Sequence, residues 1–168
     1  MDEKRIYLIA QLDKASNERL SAIYDRLIAV GLIGEQTKGI PYHITLGSFD
    51  LSEQARVIER TQDLCRKTKT FAINLSHIAM FGLKVLFIAP AVNIELLKLH
   101  SELIPDQTVS GYHHWVAHTT LLIDSPDSIK TAIPIVAQAF TPFEATVQSV
   151  GVLKFPPARL ITTFDLSS

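Results

Sequence analysis

A single cysteine, Cys65, in 168 residues leaves no partner for an internal disulfide and suits a reducing cytoplasm, which is the expected location. Nothing local activates that thiol, so it reads as a packed helix residue and not as a nucleophile. Apolar runs are also short. None approaches the roughly 20 residues that a membrane-spanning helix requires, so no membrane partner is expected. The start, MDEKRIYLIA, is acidic and passes directly into strand-forming residues, unlike a secretory signal. Positive charge is not in excess either: 16 Lys and Arg face 17 Asp and Glu, a formal net charge of −1. A protein that grips long nucleic acid by its phosphates carries a basic surplus. Any nucleic-acid substrate is therefore expected to be engaged at a terminus or as a small fragment. The small cluster Arg66, Lys67 and Lys69 reads as a solvated helix C-terminus, favoured by the helix dipole.

Against these absences stands a tetrapeptide that occurs twice, His43-Ile44-Thr45-Leu46 and His118-Thr119-Thr120-Leu121. With six His, thirteen Thr and twenty Leu in the chain, chance supplies about 0.06 copies of His-x-Thr-Leu, within the false-positive rate of any short motif. Both copies lie in β-prone runs, PYHITLGSF and WVAHTTLLI. In a strand, residues i and i+2 share a face. His43 and Thr45 are thus expected side by side, as are His118 and Thr120. Two imidazoles flanking one reacting centre can serve as general base and general acid in a single step. The threonine hydroxyls can donate to oxygens that gain charge.

The halves of the chain match as well. RIYLIAQL, a helical stretch and PYHITLGSF are answered by KVLFIAPA, a helical stretch and WVAHTTLLI. Each motif is followed by another helical stretch, then by a period-two segment with Phe71, Ile73, Leu75 or Phe143, Ala145, Val147 on one phase. ARLITTFDL supplies a last strand. Asn17, Ser52 and Asp124-Ser125-Pro126 mark the expected helix starts, and Pro134 predicts a kink or a late start in the last helix. Two copies of so long a unit point to one pseudo-symmetric globular domain over 1–168, expected as a monomer.

The paired motifs in a duplicated chain resemble the 2H phosphoesterase superfamily, and within it the 2′-5′ RNA ligases or RNA 2′,3′-cyclic phosphodiesterases. The likeness runs through RIYLIAQL, PYHITLGSF, LSHIAMFGLKVLFIAP and WVAHTTLLI. It implies a bilobal α+β fold in which two antiparallel sheets line a central cleft with helices outside. It also implies that His43 and His118 are catalytic and that Thr45 and Thr120 contact phosphate; acid–base chemistry by these groups needs no cofactor. No basic residue stands out beside either motif.

The expected reaction is metal-independent hydrolysis of a 2′,3′-cyclic phosphate on an RNA end or a nucleotide, with ligation as its reverse. Alternatives are hydrolysis of another small phosphodiester, such as a 2′-5′ oligonucleotide or ADP-ribose cyclic phosphate, and a binding module without turnover. His114 shares the strand phase of His118 and is a candidate substrate contact if the strand reaches that far; otherwise it is a rim histidine. With His113 and His118 it is a weak metal set, because a four-residue spacing serves a helix and no Cys, Asp or Glu stands nearby. His77 is expected near the cleft or in the core. His100 reads as structural, and Phe81, beside Gly82, as a ring that packs in the core or stacks on a base.

Overall fold

Two strands are buried along most of their length, and the fold is arranged around them. In the computed structural model, which describes residues 4–91, 93–104 and 115–168, these are β1 (Arg5–Leu12) and β6 (Phe143–Phe155). Each has strands on both sides, so neither shows the clean alternation of a half-solvated strand. The elements run β1, α1 (Lys14–Ile28), β2 (His43–Asp50), α2 (Gln54–Cys65), β3 (Phe71–Phe81), and then β4 (Val85–Pro90), α3 (Ile94–Leu103), β5 (Thr119–Ile123), α4 (Pro126–Ala139), β6, β7 (Arg159–Asp165). The order strand, helix, strand, helix, strand thus occurs twice before β7 closes the series. All named pairings are antiparallel. No helix among the described residues is long and apolar enough to cross a membrane.

The sheet follows the order β2-β1-β6-β3-β4-β5, with β7 also on β6. The expected pair of antiparallel sheets is therefore joined into one seven-stranded ladder. The joint is formed by the two period-two segments, which pair with each other: Phe71 opposite Val147, Ile73 opposite Ala145, Leu75 opposite Phe143. Beyond Val147, β6 serves β1 and β7 instead.

The helices carry apolar stripes at helical spacing and cover the sheet. Leu20, Ile23 and Leu27 of α1, Leu96, Leu99 and Leu103 of α3, and Ile129, Ala132 and Val136 of α4 are all buried. They join the strand residues in one core cluster, and α1 packs on α4 while α2 packs on α3. Ser125 caps α4 by accepting from the Ser128 amide, and Pro126 follows it in the first turn. Pro134 lies inside α4, which continues to Ala139, so the late start does not occur. Asn17 does not start α1. Asp13 does, accepting from the Ser16 amide at 3.2 Å, because the capping oxygen is best placed where β1 ends and the chain is still extended. A 3₁₀ turn at Leu51–Glu53 precedes α2, so Ser52 lies within it and Asp50 is its cap.

One core position is poorly matched to its surroundings. Thr119 in β5 is fully buried, and its Oγ1 has no hydrogen-bond partner among the described residues. The corresponding position of the first motif holds Ile44, also fully buried. Thr119→Val keeps the β-branched shape and removes a desolvated hydroxyl, so it should stabilise the protein by about 1 kcal/mol. Chemical denaturation of the two proteins checks this; a lower midpoint for the variant would mean that the hydroxyl is satisfied after all.

Candidate active site

The two motifs reach the same cavity from opposite halves of the sheet. Its volume is 320 Å³, and His43, Thr45, His118 and Thr120 all line it. In β2 the alternation turns Ile44 and Leu46 into the core, 0% and 1% exposed, and leaves His43 and Thr45 on the other face. The second motif differs slightly, because β5 begins at Thr119 and His118 stands just before it. In both motifs the leucine is a β-bulge. Thr45 faces Ile9 while Gly47 faces Leu8, so Leu46 is the extra residue. Thr120 faces Phe87 while Leu122 faces Leu86, so Leu121 is the extra residue. Bulges locally sharpen twist and re-aim side chains beside active sites.

The imidazoles are held in the same way. His43 Nδ1 lies 2.8 Å from the Pro41 carbonyl oxygen, and His118 Nδ1 lies 2.7 Å from that of Val116. A carbonyl only accepts, so each Nδ1 carries the proton and donates it. Nε2 is left as the atom free to exchange a proton with a substrate. Burial pushes both pKa values below the usual 6.5, against the contrary pull of those carbonyl bonds, and repulsion from the His118 ring lowers His43 further.

Neighbouring elements hold these segments in place. Asn17 of α1 accepts from the Tyr42 amide at 2.6 Å, while its own amide nitrogen donates to the Leu12 and Asp13 carbonyls. This fixes the backbone immediately before His43. Trp115, the only tryptophan, donates from Nε1 to the Thr45 carbonyl at 2.9 Å. Its ring stacks on His100, with centroids 3.9 Å apart. The second motif's approach is thereby tied to the first motif's strand, and buried His100 is the platform beneath it. Burial also depresses the His100 pKa, against the contrary pull of a hydrogen bond to the Leu46 backbone, and so favours the neutral ring under the indole.

Phe81 is 40% exposed at the end of β3 and does not join the core. Its ring meets His118 edge-on at 4.8 Å and lies 4.5 Å from Phe87, which itself packs 4.9 Å from His118. Two aromatic rings thus bracket His118. His77 is exposed, bonded to Ser76, and does not line the cavity. The register shift between Leu75 and His77 breaks the alternation that would have carried it inward. His113 and His114 lie outside the described residues. Among the described residues no three His, Cys, Asp or Glu side chains converge as a metal site. Cys65 is buried on α2, and burial raises its pKa to about 11.

The loop between α1 and β2 also lines the cavity, and it contributes what the motifs do not disclose. Among the described residues, Lys38 is the only Lys, Arg, Asp or Glu lining the cavity. The loop is clamped to β5: the Glu35 amide donates to the Ile123 carbonyl at 2.7 Å, and the Ile123 amide donates to Gln36 Oε1 at 3.1 Å. Gly34 makes this approach possible. Its φ is +71°, and a Cβ there would stand 2.6 Å from Leu122 and 2.9 Å from the Ile123 carbonyl.

Residues 32–157 match the profile of the 2′-5′ RNA ligase superfamily. No curated protein matches the chain in sequence. Among solved structures, the TT0787 protein of Thermus thermophilus is similar over 96% of this chain and 97% of its own, with a TM-score of 0.67 and 15% identity. Escherichia coli LigT in complex with 3′-AMP is similar over 99% and 100%, with a TM-score of 0.63 and 13% identity. Kluyveromyces marxianus Usb1 with uridine monophosphate is similar over 99% and 98%, with a TM-score of 0.50 and 14% identity.

Proposed function

The chain belongs to the 2′-5′ RNA ligase superfamily, and on that footing we propose that it is a phosphodiesterase that opens 2′,3′-cyclic phosphates on RNA ends or nucleotides. The observation that carries this reading is the matched pair of histidines. Each is bound through Nδ1 to the carbonyl two residues before it, and both face one 320 Å³ cavity. That volume lies within the roughly 300–1,000 Å³ of small-molecule sites.

One Nε2 takes a proton from water as its oxygen attacks phosphorus. The bond from phosphorus to one ribose oxygen breaks, and the other imidazolium gives that oxygen its proton. Thr45 and Thr120 donate to the non-bridging oxygens as negative charge builds on them. With a 5′-hydroxyl in place of water as the attacking group, the same proton transfers join two ends. Dilute substrate in water favours hydrolysis. No step in this sequence calls on a metal or an organic cofactor. Phe81 is not among the residues lining the cavity, but its ring meets that of His118, and in this reading a base stacks against it. LigT with 3′-AMP and Usb1 with uridine monophosphate, both of similar fold, accord with a nucleotide in the cleft.

The test is incubation with nucleoside 2′,3′-cyclic phosphates in EDTA, followed by separation of 2′- and 3′-monophosphate products. One product is expected, and its identity reports which bond breaks. The kcat/KM profile should be a bell, since activity needs one neutral and one charged imidazole. Because burial lowers both pKa values, its maximum should fall on the acid side of 6.5. Bound phosphate favours the charged ring, so the kcat bell should lie at higher pH. Activity that climbs with hydroxide without turning over, or that vanishes on chelation and returns with a divalent ion, would instead indicate metal-bound hydroxide. Nucleotide binding without turnover would leave a binding module.

A further inference from the structure

Lys38 is held in a way that an idle surface lysine is not. Its Nζ donates to Tyr24 Oη at 2.5 Å and to the Ile33 carbonyl at 2.6 Å, and it stands 4.8 Å from the centre of the Tyr24 ring. The same Ile33 carbonyl also accepts from Tyr24 Oη at 2.5 Å and from Gln36 Nε2 at 3.0 Å. One backbone oxygen thus gathers three side chains, and through Gln36 the cluster is fastened to β5. Ordering a lysine costs rotamer freedom, and here two hydrogen bonds and a ring contact offset that cost. No carboxylate lines the cavity among the described residues, and none of them lies within ion-pairing distance of Lys38. An ammonium has three N–H donors. Two are occupied, and one remains for a ligand.

The two imidazoles and two threonine hydroxyls already supply proton transfer and oxygen contacts for one phosphate. A cation held by its own contacts in the lining of the same cavity calls for a second anionic group. On a nucleotide whose 2′ and 3′ oxygens are bound in the cyclic phosphate, the remaining phosphate is the one on the 5′ oxygen. Taking the phosphodiesterase reading as its premise, we infer that Lys38, held by Tyr24 and the Ile33 carbonyl, is a second subsite that binds this 5′ phosphate. The preferred substrate is then a nucleotide phosphorylated at both ends. Such a phosphate has two sources, a terminal 5′-monophosphate or the internal linkage of an RNA end.

Three substrates of one base separate them: a nucleoside 2′,3′-cyclic phosphate, its 5′-phosphorylated form, and a dinucleotide ending in the same cyclic phosphate. One or both of the latter two should exceed the first in kcat/KM by about tenfold or more, as a charge-assisted hydrogen bond provides. Lys38→Met should bring the ratios near one, and Lys38→Arg should keep most of the preference. A larger gain for the dinucleotide assigns the site to an RNA end; a larger gain for the 5′-monophosphate assigns it to a free nucleotide. Equal turnover of all three by the wild type would overturn the inference. So would a uniform loss across all three in Lys38→Met, which would put the ammonium on the reacting phosphate.

Binding gives a second readout that needs no turnover. A nucleoside 3′,5′-bisphosphate should bind more tightly by calorimetry than the 3′-monophosphate, and Lys38→Met should erase the difference. Equal Kd values in the wild type would overturn the subsite whatever the kinetics show. If no cyclic phosphate is opened but the bisphosphate preference holds and depends on Lys38, the subsite stands and the phosphodiesterase reading falls.

Discussion

His43→Ala and His118→Ala should each lower turnover of a 2′,3′-cyclic phosphate by about 100-fold or more, the usual scale for loss of a general acid or base. Both proteins should remain folded. Each imidazole faces the cavity and hydrogen-bonds a carbonyl two residues away, so removing it does not open the core. The double variant should be little worse than either single one, because a lone acid or base cannot complete a step that needs both. Steady-state kinetics alongside circular dichroism decide the matter. A single variant with near wild-type rates and native structure would mean that the reaction does not run through paired imidazoles.

The threonines come next in size. Neither hydroxyl is bonded to another group among the described residues, although both residues line the cavity, so each is free to turn toward a bound anion. Thr45→Val and Thr120→Val keep the strand-favouring shape. Each should lose about 1–3 kcal/mol of transition-state stabilisation, or roughly 5- to 150-fold in kcat/KM. If the bond strengthens as charge builds, the loss falls on kcat; if it is equal throughout, KM rises instead. Unchanged values of both in both variants would leave the threonines as shape-filling strand residues.

The parts of this site that sequence could disclose are those expressed in residue type and period. The recurrence of His-x-Thr-Leu gives the four central side chains, and period-two alternation separates His43 and Thr45 from Ile44 and Leu46. The segments around Ile73 and Ala145 read as strands for the same reason. Their pairing with each other, which joins the halves into one ladder, depends on long-range register that no local window contains. Asn17 shows the limit clearly. It has the chemistry of a helix cap, yet Asp13 takes that place, and Asn17 instead secures the Tyr42 amide from 25 residues away. Trp115 and Lys38 act through one hydrogen bond to the Thr45 carbonyl, 70 residues away, and one cluster around a carbonyl. Neither arrangement leaves a spacing to be found. His77 is turned away from the cleft by a register shift, which sequence periodicity assumes away.

The bulged leucines bear on how the chain tolerates changes of length. A strand has a parity: odd and even positions face opposite ways, and a bulge reverses the count where it occurs. Gly47, just past the first bulge, is boxed in, since a Cβ there would meet Ile104 at 2.6 Å. Slippage that brought Leu46 or Ser48 to that point would force the Ile104 side chain to move, so the phase of β2 is favoured with glycine at position 47. A residue inserted between His43 and Leu46 therefore upsets the parity of the catalytic pair, whereas one inserted after Gly47 is counted from the far side and dissipates toward Asp50. Length variation in this strand should accordingly be one-sided, tolerated downstream of the bulge and excluded upstream.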